Sequence, residues 1–177
     1  MPTLYFTVTN DLRYDQRMIR ICSSLAEAGY DVWLIGRRKR QSPSLTVMPY
    51  KQKRLFCFFE RGFAFYAEYN IRLFCFLLFR RMDLLCAIDL DTILPVYAAS
   101  KLKRVKRVYD AHELFCEMKE IATRPRLHRF WKWIERCTVP HFKWGYTVNQ
   151  PIADEFNQLY DVNYGVIRSI ARFQPVN

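Results

Sequence analysis

Glycine is scarce in this chain of 177 residues, which contains only five. No Gly-x-Gly-x-x-Gly segment follows the first apolar run, and no glycine-rich loop ending in Gly-Lys-Ser or Gly-Lys-Thr occurs. Such loops use glycine because the backbone has to approach a phosphate group closely. The usual dinucleotide-binding and P-loop functions are therefore disfavoured. A Gly-x-Ser-x-Gly nucleophile elbow is missing as well.

The six cysteines lack the paired spacing of a zinc site or a thiol–disulfide site. Each lies within an apolar stretch, where a free cysteine behaves as a small buried hydrophobic side chain. We therefore expect no bound metal, no disulfide and a reduced, intracellular protein. The cysteines are at positions 22, 57, 75, 86, 116 and 137.

Long apolar runs are missing too. In the most apolar segment the longest run without a charge, residues 73–79, is far too short to span a bilayer. The first eight residues have no basic head and no small-residue cleavage site, which argues against a secretory signal. We therefore predict a cytoplasmic protein without transmembrane segments.

Acidic residues are few beside basic ones: 17 Asp and Glu against 28 Lys and Arg, a net charge of +11. This balance favours anionic partners, including an anionic membrane on the inner face of the cell. Solvated faces and loop ends explain basic clusters equally well, and the aromatic stretch 55–81 suits either a core helix or a membrane surface. The residues predicted as a membrane or anion surface are Arg37, Arg38, Lys39, Arg40, Arg129, Lys132 and Trp133.

Short apolar runs alternate with helical patterns along the chain. The opening is a strand at 4–8, a helix capped by Asp15 and closed by Gly29, and a strand at 32–35. Further strands are expected at 45–50, 83–88, 105–109, 146–148 and 164–168, with helices at 55–81 and after residues 91, 114, 125 and 149. The alternation predicts an α/β fold with a Rossmann-like, doubly wound, mainly parallel sheet flanked by helices. We predict this domain over residues 1–168 and a linker over 169–177.

The segment 108–113, Val-Tyr-Asp-Ala-His-Glu, is the strongest candidate for a site. It is the end of a buried strand that leads into a loop containing Asp110, His112 and Glu113. In an open parallel sheet, ligands bind beyond the carboxyl ends of the strands. The alternative, which stays open at this point, is an Asp that caps the next helix and a His satisfied by the backbone.

An ordered set of segments resembles the N-terminal domain of glycosyltransferase family 4. The set includes Thr-Asn-Asp-Leu-Arg-Tyr-Asp-Gln-Arg-Met at 9–18 and Leu-Ala-Glu-Ala-Gly-Tyr-Asp-Val-Trp-Leu-Ile-Gly-Arg at 25–37. Residues 83–92, 108–113 and 146–149 are similar to that domain at the corresponding places. The resemblance implies a retaining enzyme of the GT-B architecture, of the kind common in bacterial polysaccharide and glycolipid synthesis.

The same resemblance implies roles for individual residues. The N-terminal domain would hold a glycan or lipid-linked acceptor, and a second domain would hold the nucleotide-sugar donor, with no cofactor or metal bound by the first. His112 matches the position that contacts the transferred sugar, and Glu113 would orient the loop or bind acceptor. The residues expected to line the cleft are Asn10, Asp11, Asp89, Asp110, Glu113 and Asn149.

The second domain is absent from this chain, and with it the family's two glutamates eight residues apart. Glu60 and Glu68 have that spacing by coincidence, in an aromatic helix of the wrong domain. We therefore expect a hexosyltransferase half that is inactive alone, with a homodimer through its exposed face as a further possibility. A stand-alone adaptor of the same fold is an alternative. Nucleic-acid binding is disfavoured, because no helix-turn-helix, RNP-like or zinc-finger signature accompanies the charge.

Overall fold

Seven strands form one sheet in the computed structural model, which describes residues 1–168 and residue 170. In chain order they are β1 (Thr3–Thr7), β2 (Asp31–Arg38), β3 (Lys51–Phe56), β4 (Leu84–Ile88), β5 (Lys106–Asp110), β6 (Trp144–Thr147) and β7 (Gly165–Val166). All pair in parallel, in the order β3-β2-β1-β4-β5-β6-β7. This confirms the predicted doubly wound α/β fold.

The helices are α1 (Gln16–Glu27), α2 (Gly62–Leu78), α3 (Ile93–Lys103), α4 (Lys119–Ala122), α5 (Pro125–Thr138) and α6 (Gln150–Tyr160). Short 3-10 turns lie at Leu90–Thr92, Phe115–Glu117 and Val139–His141. Two N-caps are as predicted. The Asp15 side chain accepts from the Met18 N–H at 3.0 Å, and the Asn149 side chain accepts from the Ile152 N–H at 3.0 Å.

The two faces of the sheet are covered unequally. Alternate residues of the strands, such as Tyr5, Leu85 and Tyr109, point to one face, where α2, α3, α5 and α6 pack on them. The opposite residues, such as Phe6 and Cys86, point to the face that carries α1. The imbalance follows from the right-handed crossover rule, because the connections that run from β3 through β7 all step in the same direction across the sheet.

The strands predicted at 146–148 and 164–168 are Trp144–Thr147 and Gly165–Val166, and three other predicted elements differ more. Residues 45–50 form no strand; the third strand is β3 at Lys51–Phe56, an edge strand whose exposed lysines hide the apolar alternation. Helix α2 begins at Gly62 rather than at residue 55, and Gly62 has φ +70°, a conformation that favours glycine. The helix expected after residue 114 is only a 3-10 turn followed by the four-residue α4.

The prediction for the cysteines is right for four residues and wrong for two. Cys22, Cys57, Cys86 and Cys116 are buried, but Cys75 and Cys137 are exposed, because each lies on the outer side of a helix. No helix within residues 1–168 combines the length and apolarity needed to cross a membrane. The predicted linker, 169–177, lies outside the described residues apart from Ile170.

Candidate functional site

The strand order reverses between β1 and β4, and ligands of doubly wound sheets bind beyond the carboxyl ends of strands at such a point. Two backbone hydrogen bonds join the loops there. The Asp89 N–H donates to the Asp110 carbonyl at 3.0 Å, and the Ala111 N–H donates to the Tyr146 carbonyl at 3.0 Å. These bonds bring the ends of β4, β5 and β6 together, so that Asp89, Asp110 and His112 become neighbours.

Four side chains form what we call the His112 cluster: Arg17, Asp89, Asp110 and His112. The His112 Nε2 atom lies 3.2 Å from Asp89 Oδ2. Arg17 Nη2 donates to both carboxylate oxygens of Asp110, at 2.7 and 2.9 Å. Since His112 Nδ1 is 3.9 Å from Asp110 Oδ1, these two atoms form no hydrogen bond.

Several polar atoms of the His112 cluster lack partners. Within residues 1–168 and 170, the buried atoms Asp89 Oδ1, His112 Nδ1 and Arg17 Nε have no hydrogen-bond partner. Asp89 also has φ +55°, a backbone conformation that costs free energy for a residue other than glycine. Unsatisfied polar groups and strained backbone are costly, and both are common at binding sites. The cluster therefore has the character of a ligand site.

Burial and like charge control ionisation in the cluster. Burial raises the pKa of Asp89 well above its ordinary value, and the nearby carboxylates of Asp91, Asp110 and Glu113 add to the shift. Burial likewise raises the pKa of Asp110, although Arg17 opposes the shift. Burial lowers the pKa of His112. The imidazole is therefore neutral at pH 7, with one nitrogen beside Asp89 and the other without a partner.

Asp91 lies beside the cluster, in the 3-10 turn after β4. Burial raises the pKa of this carboxyl group to about 7, although a hydrogen bond donated by the Thr9 hydroxyl acts to lower it. Thr9 belongs to the loop after β1, so this bond links the loops on the two sides of the reversal point. Asp91 also acts on the ionisation of Asp89, and carboxyl groups with strongly raised pKa values are often found at functional sites.

Asp11, predicted to line the cleft, belongs to a second cluster. Arg54 Nη1 donates to the Asp11 carboxylate at 3.0 and 3.2 Å, and the Ser42 hydroxyl donates to it as well. We call Asp11, Ser42 and Arg54 the Asp11 cluster. Burial raises the pKa of Asp11, but the hydrogen bonds from Ser42, the Arg13 N–H and Arg54 outweigh it and the net shift is downward. The cluster fastens the basic loop after β2 to the loop after β1.

Asn10 supports the same junction. Its side-chain amide donates to Asp15 at 3.3 Å, and its carbonyl accepts from the Arg37 N–H at 3.0 Å. A Cβ atom at Gly36 would lie 2.6 Å from that carbonyl, so only glycine permits the approach. Contacts of Asn10 and Asp11 with an acceptor remain predictions.

The other predicted cleft residues are Asn149 and Glu113. Asn149 caps α6, and its carbonyl accepts from the Thr147 hydroxyl at 2.8 Å. Glu113 is exposed at the rim of the His112 cluster, and its charge acts on the ionisation of Asp89 and His112. Their roles toward an acceptor also remain predictions.

The seven residues predicted as an anion surface fall into two places. Arg38, Lys39 and Arg40 are exposed at and after the end of β2. Arg37 is folded back, with its guanidinium 4.1 Å from the centre of the Phe65 ring and a hydrogen bond to the Glu60 carbonyl at 3.1 Å. On α5, Arg129 and Trp133 are exposed, whereas Lys132 is paired with Glu135 at 2.8 Å. Binding by these residues remains a prediction.

Arg17 is the residue of the site that the sequence analysis missed. Its partner Asp110 is 93 residues away in the chain, so no local spacing connects them. The available signal was indirect. A buried Asp at a strand end requires a cation, and Arg17 is in the first turn of the helix that follows β1.

An apolar groove of about 470 Å³ lies on the α1 face of the sheet, away from the carboxyl edge. It meets the His112 cluster at Arg17 and is floored by Phe6, Cys86 and Val108. Its lining is mainly apolar, so the His112 cluster is the stronger candidate for the functional site. In the described part of the chain, no group of three His, Cys, Asp or Glu side chains is arranged to hold a metal ion.

Comparisons with known proteins give one family match and several solved structures of similar fold. A family model described as Glycosyltransferase Family 4 matches residues 16–173. Sucrose-phosphate synthase from Thermosynechococcus elongatus is similar in structure, with a TM-score of 0.61 and 11% identity over 95% of this chain and 47% of that chain. The apo form of the lipopolysaccharide outer core galactosyltransferase WaaB gives a TM-score of 0.60 and 10% identity, over 94% of this chain and 45% of that one.

UDP-N-acetylglucosamine 2-epimerase from Rickettsia bellii is similar as well, with a TM-score of 0.60 and 8% identity over 93% of this chain and 44% of that chain. No curated protein matches the sequence. At these identities the structural likeness shows the fold. The chain spans about half the length of each of these structures.

Proposed function

This chain belongs to glycosyltransferase family 4, and we propose that it is the acceptor-binding, N-terminal domain of a retaining enzyme. The complete enzyme would transfer a hexose from a nucleotide-sugar to a glycan or lipid-linked acceptor in the synthesis of bacterial cell-surface polysaccharide or glycolipid. The donor would bind to a second domain, because this chain spans only about half of its structural neighbours. On this proposal the chain alone binds acceptor and does not catalyse transfer.

The observation that carries the proposal is the pair of unpartnered atoms His112 Nδ1 and Asp89 Oδ1 at the carboxyl edge. A sugar hydroxyl both donates and accepts hydrogen bonds, so one hydroxyl group can satisfy the imidazole nitrogen and a neighbouring one the carboxyl group. The neutral state of His112 supports this, because a neutral imidazole offers one donor and one acceptor nitrogen.

Each member of the cluster has a separate role in the proposal. His112 contacts the transferred sugar, and Asp89 fixes the orientation of its ring through the 3.2 Å contact at Nε2. Arg17 is a positioning residue, because it neutralises and holds Asp110 at the end of β5. Glu113, exposed at the rim, meets the acceptor, and Asn149 stands at the far side of the cleft above β6.

The proposal also includes a membrane location and the absence of a resident cofactor in this domain. A lipid-linked acceptor requires the enzyme to work at a membrane, and the net charge of +11 supports attachment to an anionic inner leaflet. A family member of this kind needs no resident cofactor in the acceptor domain, and the nucleotide-sugar is a substrate of the other half.

The proposal is tested by screening the purified chain on an array of bacterial glycans. We expect binding to a subset of the glycans. Because each lost hydrogen bond to a buried site group weakens binding by about tenfold, His112→Ala and Asp89→Ala should each reduce the signal by at least that factor. Asp161→Asn is the control, since Asp161 is exposed and follows the end of α6, at the opposite edge of the sheet.

Three results would count against the proposal. Equal binding by the parent and both site variants would remove the His112 cluster from the acceptor site. Steep salt-dependent retention on DNA without glycan binding would support a nucleic-acid partner instead. Transfer of a labelled sugar by the chain alone, in a panel of nucleotide-sugars, would contradict its being an inactive half.

A further inference from the structure

Helix α2 is apolar on its outer side as well as on its inner side. Its inner residues Phe65, Tyr69, Leu73 and Leu77 are buried in the core. A helix that is apolar all round is normally covered all round, either by protein or by lipid. The outer residues, which we call the α2 outer stripe, are Phe63, Ala64, Ala67, Ile71, Cys75 and Phe79.

The α2 outer stripe is largely open to solvent, although Ala67 is half-buried and the Phe63 ring meets the Phe130 ring edge-on, with centroids 5.6 Å apart. Phe63 is 66% exposed, Ile71 is 64% exposed, and Phe79 is 87% exposed. Positions 63, 67, 71, 75 and 79 of the stripe recur every four residues. They therefore follow one side of a helix that is about 26 Å long at 1.5 Å per residue. Isolated exposed apolar residues are ordinary, but a continuous stripe with large side chains marks an interaction surface.

The loop before α2 adds two more exposed phenylalanines, and Glu68 holds it in place. The Glu68 carboxylate accepts hydrogen bonds from the backbone N–H groups of Phe58, at 3.0 and 2.9 Å, and of Phe59, at 3.0 Å. Arg72 Nε donates to the same carboxylate at 2.8 Å. Glu68 is the only acidic residue of α2, and these hydrogen bonds offset its charge.

Basic residues flank both ends of the stripe. At the N-terminal end, Arg61 is the N-cap residue, and the Arg37 side chain donates to the Glu60 carbonyl, which brings the exposed run 38–40 alongside. At the C-terminal end, Arg80 and Arg81 follow directly and are exposed. An apolar strip between cations is complementary to a surface that presents anionic groups above a hydrocarbon layer.

We propose that the α2 outer stripe, with Phe58 and Phe59, is the surface by which this domain lies on an anionic lipid bilayer. The helix lies in the plane of the interface, with its stripe toward the acyl chains and its flanking arginines at the headgroups. A second copy of the chain is a poorer partner for this surface. Two molecules of charge +11 would bring their basic flanks together, and the like charges would repel.

This inference deepens the membrane part of the proposed function by naming the surface and the partner. It rests on exposure and charge, and it does not depend on sugar transfer. The arrangement would hold the carboxyl edge of the sheet beside the membrane, because the N-terminal end of α2 and the end of β3 lie at that edge. A lipid-linked acceptor would then reach the His112 cluster from the bilayer surface.

Vesicle co-sedimentation of the purified chain tests the inference. We expect binding to phosphatidylcholine vesicles containing about a third phosphatidylglycerol and little binding to phosphatidylcholine alone, with the difference reduced by salt. Ile71→Ser combined with Phe79→Ser should weaken the partition by at least about tenfold, because both side chains leave the hydrocarbon boundary. Arg80→Gln with Arg81→Gln should weaken it only on the anionic vesicles.

Leu159→Ser is the matched control, since Leu159 is an exposed apolar residue on α6, at a distance from α2 in the fold. Its partition should equal that of the parent. Equal partition by the stripe variant and the control would overturn the inference. So would a stripe-dependent dimer, seen by sedimentation velocity, in a chain that binds no vesicles. Glycan binding by the stripe variant should be unchanged, so the membrane surface and the proposed function can fail separately.

Discussion

Two arginine–carboxylate clusters lie near the same edge of the sheet, on opposite sides of the point where the strand order reverses. In the Asp11 cluster, both oxygens of Asp11 accept hydrogen bonds, and Arg54 also donates to the Pro43 carbonyl at 2.8 Å. In the His112 cluster, three buried polar atoms have no partner in the part of the chain that the structure describes. The Asp11 carboxylate is thus fully paired as folded, whereas on the proposed function a bound ligand would supply the missing partners of the His112 cluster.

The carboxyl groups of the two clusters also differ in their pKa shifts, which are downward for Asp11 and upward for Asp89. The lowered pKa of Asp11 contributes stability that is present at neutral pH and is lost as pH falls through the folded pKa. The raised pKa of Asp89 acts in the opposite direction, because its contribution is lost as pH rises toward neutrality. The lowered pKa of Asp11 therefore adds to the stability of the fold at pH 7, whereas the raised pKa values of Asp89 and Asp110 subtract from it.

The largest effect is expected for Arg17→Ala. This change leaves Asp110, which is fully buried, without its cation, and the loss should be about 3–5 kcal/mol at pH 8 by urea unfolding. The loss should shrink toward pH 5, because a buried carboxyl without a cation takes up a proton. Adding Asp110→Asn should restore part of the stability. A double variant as unstable as Arg17→Ala would show that the Asp110 charge is not the cause.

Arg54→Ala should have a smaller effect, about 1–3 kcal/mol by the same method. Asp11 keeps the hydrogen bonds from Ser42 and from the Arg13 N–H after the arginine is removed, so its charge stays partly compensated. Lys53→Ala, next to it in β3 and exposed, is the control and should change stability by less than about 0.5 kcal/mol. If Arg54→Ala lost more free energy of unfolding than Arg17→Ala, the Arg17–Asp110 pair would not be the one that holds the less compensated charge.

The fold was predictable wherever a local pattern carries the information. Buried strands such as β1 and β4 are continuous apolar runs, and helices such as α6 begin at a capping residue that the sequence displays. Strand β3 was misplaced because it is an edge strand with lysines on its exposed side, and the apolar residues before it pack irregularly instead. Edge position is a tertiary property, and the sequence does not reveal it locally.

The site was predictable to the extent that it follows strand ends. His112, Asp89 and Asp110 lie where loops after neighbouring strands meet, which the predicted topology implies. Asn149 and Asp11 also follow strand ends; the structure shows them in a helix cap and an ion pair, and their contact with an acceptor stays a prediction. Arg17 was out of reach because its pairing with Asp110 exists only once the sheet has formed.

Asp91→Asn should change the pH dependence of stability by about 2–3 kcal/mol between pH 5 and pH 8. The folded pKa of about 7 lies above the ordinary value for Asp, so the parent loses stability as pH rises between the two values, by at most about 1.4 kcal/mol per pH unit. Asn does not titrate, so the variant should gain relative to the parent as pH increases. Asp154→Asn, exposed on α6, is the control. A difference that is the same at both pH values would contradict the raised pKa.

His112→Ala should have the smallest effect on stability, within about 1 kcal/mol, because the Nδ1 atom has no partner to lose and the ring is partly exposed. Its effect on glycan binding should be at least tenfold. In the parent, protonation of His112 should weaken binding only below pH 6.5, because the lowered pKa keeps the imidazole neutral above that value. Measuring both the free energy of unfolding and the glycan-array binding of this variant distinguishes a structural role of His112 from a ligand-binding role. If His112→Ala lost as much stability as Arg54→Ala and no binding, the His112 cluster would be structural like the Asp11 cluster, and the acceptor site would have to lie elsewhere on the carboxyl edge.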